Sequence, residues 1–318
     1  MTGPAHASGS PPWPALPYAE WSETCETLHL WTQVVGKIRL AQTPWQNHSW
    51  HVTLYVTTSG LTTSPIPHGD RTFEIHFDFL RHRLDVEVSD GGTRRLPLVA
   101  QSVADFHDEV MRALAELGVA VSITDLPCEI AGAVPFTLDR THATYDRAHA
   151  QRFWHSLVAV DGVFKQFRTG FIGKASPVHL FWGSFDLAAS RFSGRRAPLH
   201  PGSAPGMAPA VMQEAYSHEV CSAGFWPGGA GYDASFYSYV YPEPEGYRMT
   251  PVQPAAAAYD AKLGEFVMPY EAVRTAADPS AALLAFLRST YAAAAVAAQW
   301  DRANLERAES SPGHCPWP

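Results

Sequence analysis

Two long helical patterns dominate this sequence. Each is followed by β-type segments and closed by another helix. In the first, Trp21, Cys25, Leu28, Trp31, Val35 and Ile38 recur at helical spacing, which predicts a helix from about Tyr18 to Gln42. Pro44 stops it. Strand-type runs follow at Trp50 to Thr57, Thr72 to Phe79 and Arg83 to Val88, and Ser89-Asp90-Gly91-Gly92 carries a hairpin signal. The spacing of Val103, Phe106, Val110, Leu114 and Leu117 then predicts a helix, with Ser102 as N-cap and Gly118 just past its end.

After a connector from Ile123 to about Thr141, the order repeats. A helix is expected from about Tyr145 to Phe167. Strands are expected at Val178 to Phe185, Ser217 to Ala223, Ser235 to Tyr241 and Gly264 to Met268, and a last helix from Pro279 to about Arg307. The Pro/Gly-rich stretches Ala197 to Pro209 and Pro242 to Pro254 exceed usual loop lengths and read as functional flaps or insertions. The implied fold class is α+β: two similar helix–strands–helix halves with mainly antiparallel sheets, packed as one globule. The segments are a leader over 1–17, expected to be disordered, a first half over 18–125, a second over 126–308 and a tail over 309–318. An internal duplication would set Trp50 to Tyr55 against Val178 to Trp182, aligning His51 with His179. It would also set Phe73-Glu74-Ile75 against His218-Glu219-Val220.

Charge is scarce. Only 17 % of the 318 residues are charged, against about 25 % in an ordinary soluble domain, while Trp, Tyr, Phe and His number 10, 12, 16 and 15. Polar work therefore falls on neutral and aromatic groups. A net charge of −8 argues against a nucleic-acid partner, and 46 % hydrophobic residues argue against a disordered chain. Four scattered cysteines make neither a disulfide framework nor a zinc cluster. The first residues lack the basic start and apolar core of a signal peptide, and the apolar stretch Ala281 to Trp300 carries a central Arg288. The expectation is a cytoplasmic protein with reduced thiols and no membrane partner.

Several segments resemble one known family. They are Trp13-Pro14-Ala15-Leu16-Pro17-Tyr18, the run Thr27 to Lys37, the run Gly60 to Pro67 and, most distinctively, Pro177 to Ala188 (Pro-Val-His-Leu-Phe-Trp-Gly-Ser-Phe-Asp-Leu-Ala). Together they resemble an uncharacterised bacterial domain-of-unknown-function family, DUF5996, from about Trp13 to Trp300. The resemblance implies one integrated unit and brings no activity, cofactor or site.

The residues best suited to chemistry lie in the second half. Lys174 precedes a strand candidate holding His179, Trp182, Ser184 and Asp186; Arg191 follows, and His218-Glu219 sits on another. Two chemistries fit. His179, His218 and a carboxylate, Glu219 or Asp186, are the ligand types of a divalent-metal facial triad. Alternatively, a histidine works as general base beside Glu219, with Lys174 or Arg191 holding an anionic substrate. The bland reading makes His179 a core histidine and pairs Glu219 with Arg191. In the first half, His48 and His51 read as surface or satisfied histidines. Phe225, Trp226, Tyr232, Phe236, Tyr237, Tyr239 and Tyr241 form an aromatic run: a half-buried sheet face, or a stacking wall for a flat or apolar ligand. Trp182, Ser184, Trp226 and Tyr237 join Lys174 and Arg191 as substrate-binding expectations. The leading expectation is a small-molecule enzyme of unstated reaction with an aromatic-lined site. The rivals are a non-catalytic binding protein for an aromatic or apolar ligand and a structural or partner-binding protein. An exposed aromatic face would favour a homo-oligomer.

Overall fold

A computed structural model describes residues 12–202, 205–229 and 231–307. The chain is an α+β globule. Helix α1 (Tyr18–Gln42) is followed by β1 (Tyr55–Val56), β2 (Gly60–Thr62), β3 (Ile66–His68), β4 (Arg71–Asp78), β5 (Arg83–Val88), β6 (Thr93–Pro97) and α2 (Val103–Glu116). Then come α3 (Arg147–Thr169), β7 (His179–Phe181), β8 (Asp186–Arg196), α4 (Pro209–Ala215), β9 (His218–Gly229) and β10 (Tyr232–Tyr241). The last elements are β11 (Ala258–Asp260), β12 (Glu265–Pro269), α5 (Tyr270–Arg274), α6 (Pro279–Ala297) and α7 (Arg302–Leu305).

Both sheets are antiparallel. The first runs β1-β2-β4-β5-β6 with β3 beside β4, and the second runs β11-β12-β10-β9-β8-β7. They meet at one antiparallel bridge, where Leu54 N donates to Leu180 O at 2.9 Å and Leu180 N to Leu54 O at 2.8 Å. A dyad through that bridge would relate Thr53, not His51, to His179, two residues away from the alignment the sequence suggests.

Helix α1 is the centre of the molecule. Leu30 to Arg39 are buried without a break, because both sheets and two helices pack on it: α2, α3, β3, β9 and β10 all touch it. A helix enclosed all round must also bury its polar residues, and Gln33, Lys37 and Arg39 are buried here. Each needs a partner, and Gln33's partners shape the site described below. Helix α2 shows the expected caps: Ser102 Oγ accepts from Asp105 N at 3.1 Å, and Gly118 has φ 69°. Helix α6 is the one helix among the described residues long and apolar enough to cross a membrane. It packs against α3, β9 and β10 and buries Leu283, Phe286, Leu287 and Tyr291.

Three local expectations change. The end of the supposed leader is packed: Trp13 and Leu16 are buried, and Pro14 O accepts the Tyr270 hydroxyl at 2.9 Å. Residues 1–11 of that leader, and the tail from 309, lie outside the described residues. Trp50 to Thr57 is mostly a turn, with His48 and Ser49 at positive φ, and only Tyr55–Val56 is strand. The strand expected over Val178 to Phe185 ends at Phe181. Phe185 adopts φ 61° and its N–H donates to Phe181 O at 2.8 Å, so the chain reverses into β8.

Candidate functional site

The turn between β7 and β8 forms one wall of a cavity of about 440 Å³. Its floor is the outer face of the second sheet. Side chains alternate along a strand, so Phe225, Phe236, Phe266 and Met268 face the core while Trp226, Tyr237, Tyr239, Glu265 and Val267 face the cavity. Tyr237 lies opposite Gly224 on β9. A Cβ at that glycine would sit 2.3 Å from the Tyr237 ring. The bare glycine thus lets the ring cross β9 and reach β8, where the Tyr237 hydroxyl donates to Asp186 Oδ2. Ser184 Oγ donates to Asp186 Oδ1 from within the turn.

The opposite wall is the Cys128–Glu129 loop, and α1 holds it. Gln33 Nε2 donates to Cys128 O at 2.9 Å and Gln33 Oε1 accepts from Cys128 N at 2.9 Å. The same Nε2 reaches Gly183 O at 3.3 Å. His29 Nε2 lies 2.8 Å from that carbonyl, which can only accept, so the ring proton is on Nε2. Burial pulls the His29 pKa down to about 4 and keeps the ring neutral. Glu129, at φ 60°, places its carboxyl over Gly183, where a Cβ would meet Oε1 at 1.9 Å.

The long segment after β8 closes the third side. Pro205 O accepts from Glu129 N at 2.7 Å. Helix α4 is pinned by Glu214, which accepts from His48 N at 2.9 Å and Trp45 Nε1 at 3.1 Å. This delivers Tyr216, whose hydroxyl meets that of Tyr239 at 3.0 Å. Of the two flap-like stretches in the sequence, Ala197 to Pro209 thus braces the Glu129 loop through Pro205 and leads into α4, while the lining side chain on this side is Tyr216, beyond it.

Three carboxyls face the cavity or its floor: Glu129, Asp186 and Glu265. Among the described residues, no Lys, Arg or His lines it. Burial pushes the Glu129 carboxyl up to about 7, and Asp186 adds to the shift. Glu265 is likewise raised to about 7 by burial, then by Asp186 and Asp260. Asp186 itself is raised by burial against the opposing pull of Ser184 and Tyr237. The phenols of Tyr216, Tyr237 and Tyr239 are all raised by burial, and so stay protonated. Half-buried Glu129 and Glu265, held near neutrality, beside hydroxyls that keep their protons, can donate and accept protons on one small molecule.

Of the residues singled out from sequence, Ser184, Asp186, Trp226 and Tyr237 line this cavity. The others do not. His179 is fully buried with both ring nitrogens unpartnered, and burial lowers its pKa to about 3. Glu219 accepts from Arg195 at 2.7 Å and Ser193 at 2.8 Å, not from Arg191. Arg191 sits opposite Cys221 in the ladder and stacks over Phe167 at 3.5 Å and Tyr291 at 4.3 Å, so it holds no substrate here. Lys174 donates to His48 Nε2 at 2.6 Å, and the His218 ring lies 6.3 Å from the His48 ring. Trp182 packs over Gly36 and donates to Val52 O at 2.7 Å. His179, His218 and Glu219 are thus not gathered as a metal triad. Among the described residues, no three His, Cys, Asp or Glu side chains are grouped to hold a metal ion.

Sequence reasoning missed Glu129, Tyr216 and Glu265. Glu265 left a trace, a carboxylate inside an otherwise apolar strand candidate. Glu129 and Tyr216 left none, because both reach the site from irregular segments.

Fold and cavity define an α+β protein with a tyrosine- and carboxyl-lined site set between a sheet face and two loops. The chain belongs to the family of unknown function DUF5996, whose model matches residues 13–307. No curated protein and no solved structure matches it.

Proposed function

We propose that this protein is a small-molecule enzyme that works by general acid–base catalysis at the Glu129–Asp186–Glu265 cavity. The carrying observation is that three carboxyls share one cavity with no basic side chain among the described lining residues. With no neutralising partner, the group does best when one carboxyl keeps its proton while another has lost it. The protonated carboxyl serves as acid and the ionised one as base. Tyr237 and Ser184 orient Asp186 through its two oxygens. Trp226 and Tyr239 give flat walls for the substrate, and the volume lies within the range of small-molecule sites. Buried Cys25, Cys128 and Cys221 are free thiols, which supports a cytoplasmic setting.

The test is comparative metabolite turnover. Purified full-length protein and its Asp186→Asn variant are each incubated with a mixed small-metabolite extract and followed by mass spectrometry. The expected result is depletion of one compound and growth of a product with the wild type only. Identical profiles overturn the enzyme reading. A compound retained by the wild type but unchanged would instead assign a non-catalytic binding protein.

A further inference from the structure

The walls of this cavity select more narrowly than the acid–base reading requires. Trp226, Tyr232, Tyr237 and Tyr239 present aromatic surface, with Glu129 and Glu265 at the same space. Aromatic faces attract cations through the ring quadrupole, and attract anions not at all. An anionic ligand would find no Lys, Arg or His among the described lining residues and would face three carboxyls. A neutral apolar ligand would leave those carboxyls buried without a partner, which is costly. Asp186 already takes two hydroxyl donors, so Glu129 and Glu265 remain as counter-charges.

Resting on the proposed site, we infer that the ligand is an organic cation: a flat or aromatic body carrying a protonated or quaternary amine. Its aromatic part lies against Trp226 and the tyrosines, and its ammonium meets Glu129 and Glu265. The ammonium supplies the positive charge that the protein omits, and this fixes a pH dependence. The titratable groups facing the two glutamates are Asp186 on β8, Asp260 at the end of β11, the Cys128 thiol, and the phenols of Tyr216, Tyr237, Tyr239 and Tyr259. The thiol and the phenols are all raised by burial and stay neutral across the physiological range, so the carboxyls alone set the profile. Cation binding strengthens as pH rises through about 7, where both glutamates ionise.

The experiment uses a matched pair of probes on the full chain. Tryptamine is an ammonium near neutrality; tryptophol is its uncharged counterpart of nearly the same shape. Calorimetric titration at about pH 8 is expected to show tryptamine bound at least about tenfold more tightly than tryptophol. The ratio falls at about pH 6, where the glutamates are largely protonated. It approaches one in Glu129→Gln/Glu265→Gln, with circular dichroism checking that this variant is folded. Equal binding, preference for tryptophol, no binding of either, or a pH-independent ratio overturns the cation inference. Those outcomes leave the acid–base reading standing if wild type and Asp186→Asn still differ in metabolite turnover. Loss of that difference with tryptamine selectivity intact overturns the enzyme reading alone.

Discussion

Gln33 grips Cys128 with both ends of its carboxamide: Oε1 accepts the Cys128 N–H and Nε2 donates to the Cys128 carbonyl, each at 2.9 Å. Ninety-five residues separate the two. The contact ties the central helix to an otherwise irregular loop and so fixes where the next residue, Glu129, stands. A buried carboxyl tuned by its surroundings works only if those surroundings are held still.

Replacing Gln33 with Leu leaves a buried backbone N–H and C=O without partners. Each orphaned group costs about 1–3 kcal/mol, so Gln33→Leu is expected to lose about 2 kcal/mol or more of stability in urea denaturation. Amide exchange at Cys128 is expected to quicken more than exchange in α2. An unchanged urea midpoint would show that the clamp carries no energy.

Gly183→Ala separates positioning from stability. The new Cβ lands 1.9 Å from Glu129 Oε1, but the obstructing atom is the end of a flexible side chain. Global stability is expected to change by less than about 1 kcal/mol, because the carboxyl swings aside. Tryptamine affinity is expected to fall about tenfold, the loss of one well-placed counter-charge. Full affinity in Gly183→Ala would place Glu129 outside the binding contact.

The raised carboxyls give a stability signature with a definite sign. The Glu129 and Glu265 side chains hold a proton up to about 7 in the folded protein, against 4.5 for the ordinary group. Between those values the folded state binds more protons than the unfolded one. Their contribution is therefore most favourable below about pH 4.5 and is lost as pH rises to about 7. The double variant Glu129→Gln/Glu265→Gln removes this loss. Relative to wild type, it is expected to be more stable at about pH 8 than at about pH 5, as read by urea denaturation. A stability difference that is the same at both pH values contradicts the assigned shifts.

His179 carries the opposite sign. Its folded pKa of about 3 lies below the ordinary 6.5, so the unfolded state takes the extra proton and stability falls as pH drops from about 6.5 toward 3. At about pH 5 this amounts to about 2 kcal/mol. His179→Leu removes that penalty along with two unpartnered ring nitrogens. The variant is expected to be as stable as wild type near neutrality, more stable at about pH 5, and unimpaired in metabolite turnover. Lost turnover in a folded His179→Leu protein would return this histidine to the site.

Much of the fold was legible because local signals agreed with the final packing. The period of Trp21 to Ile38, the Ser102 cap and the strand from Arg83 to Val88 all appear where spacing and capping place them. The site was half legible. Ser184, Asp186, Trp226 and Tyr237 stood out as polar or aromatic residues in a charge-poor region, and they line the cavity. The histidines misled because a ring that suits catalysis also suits burial. His179 fills core space beside Trp50, Tyr55 and Phe181. Glu129 was illegible because its place depends on Gln33, far away in the chain, and on a left-handed backbone that no local motif announces.

The account stands or falls on the proton affinity of the cavity carboxyls. Carbon-13 NMR titration of the glutamate side-chain carboxyls in the full chain measures it directly, with Glu129→Gln and Glu265→Gln assigning the signals. The account predicts that two glutamates titrate near 7 and that removing either carboxyl deletes one transition. If every glutamate titrates below about 5, in the range of solvated carboxylates, the cavity holds no acid–base pair and the proposed function is wrong.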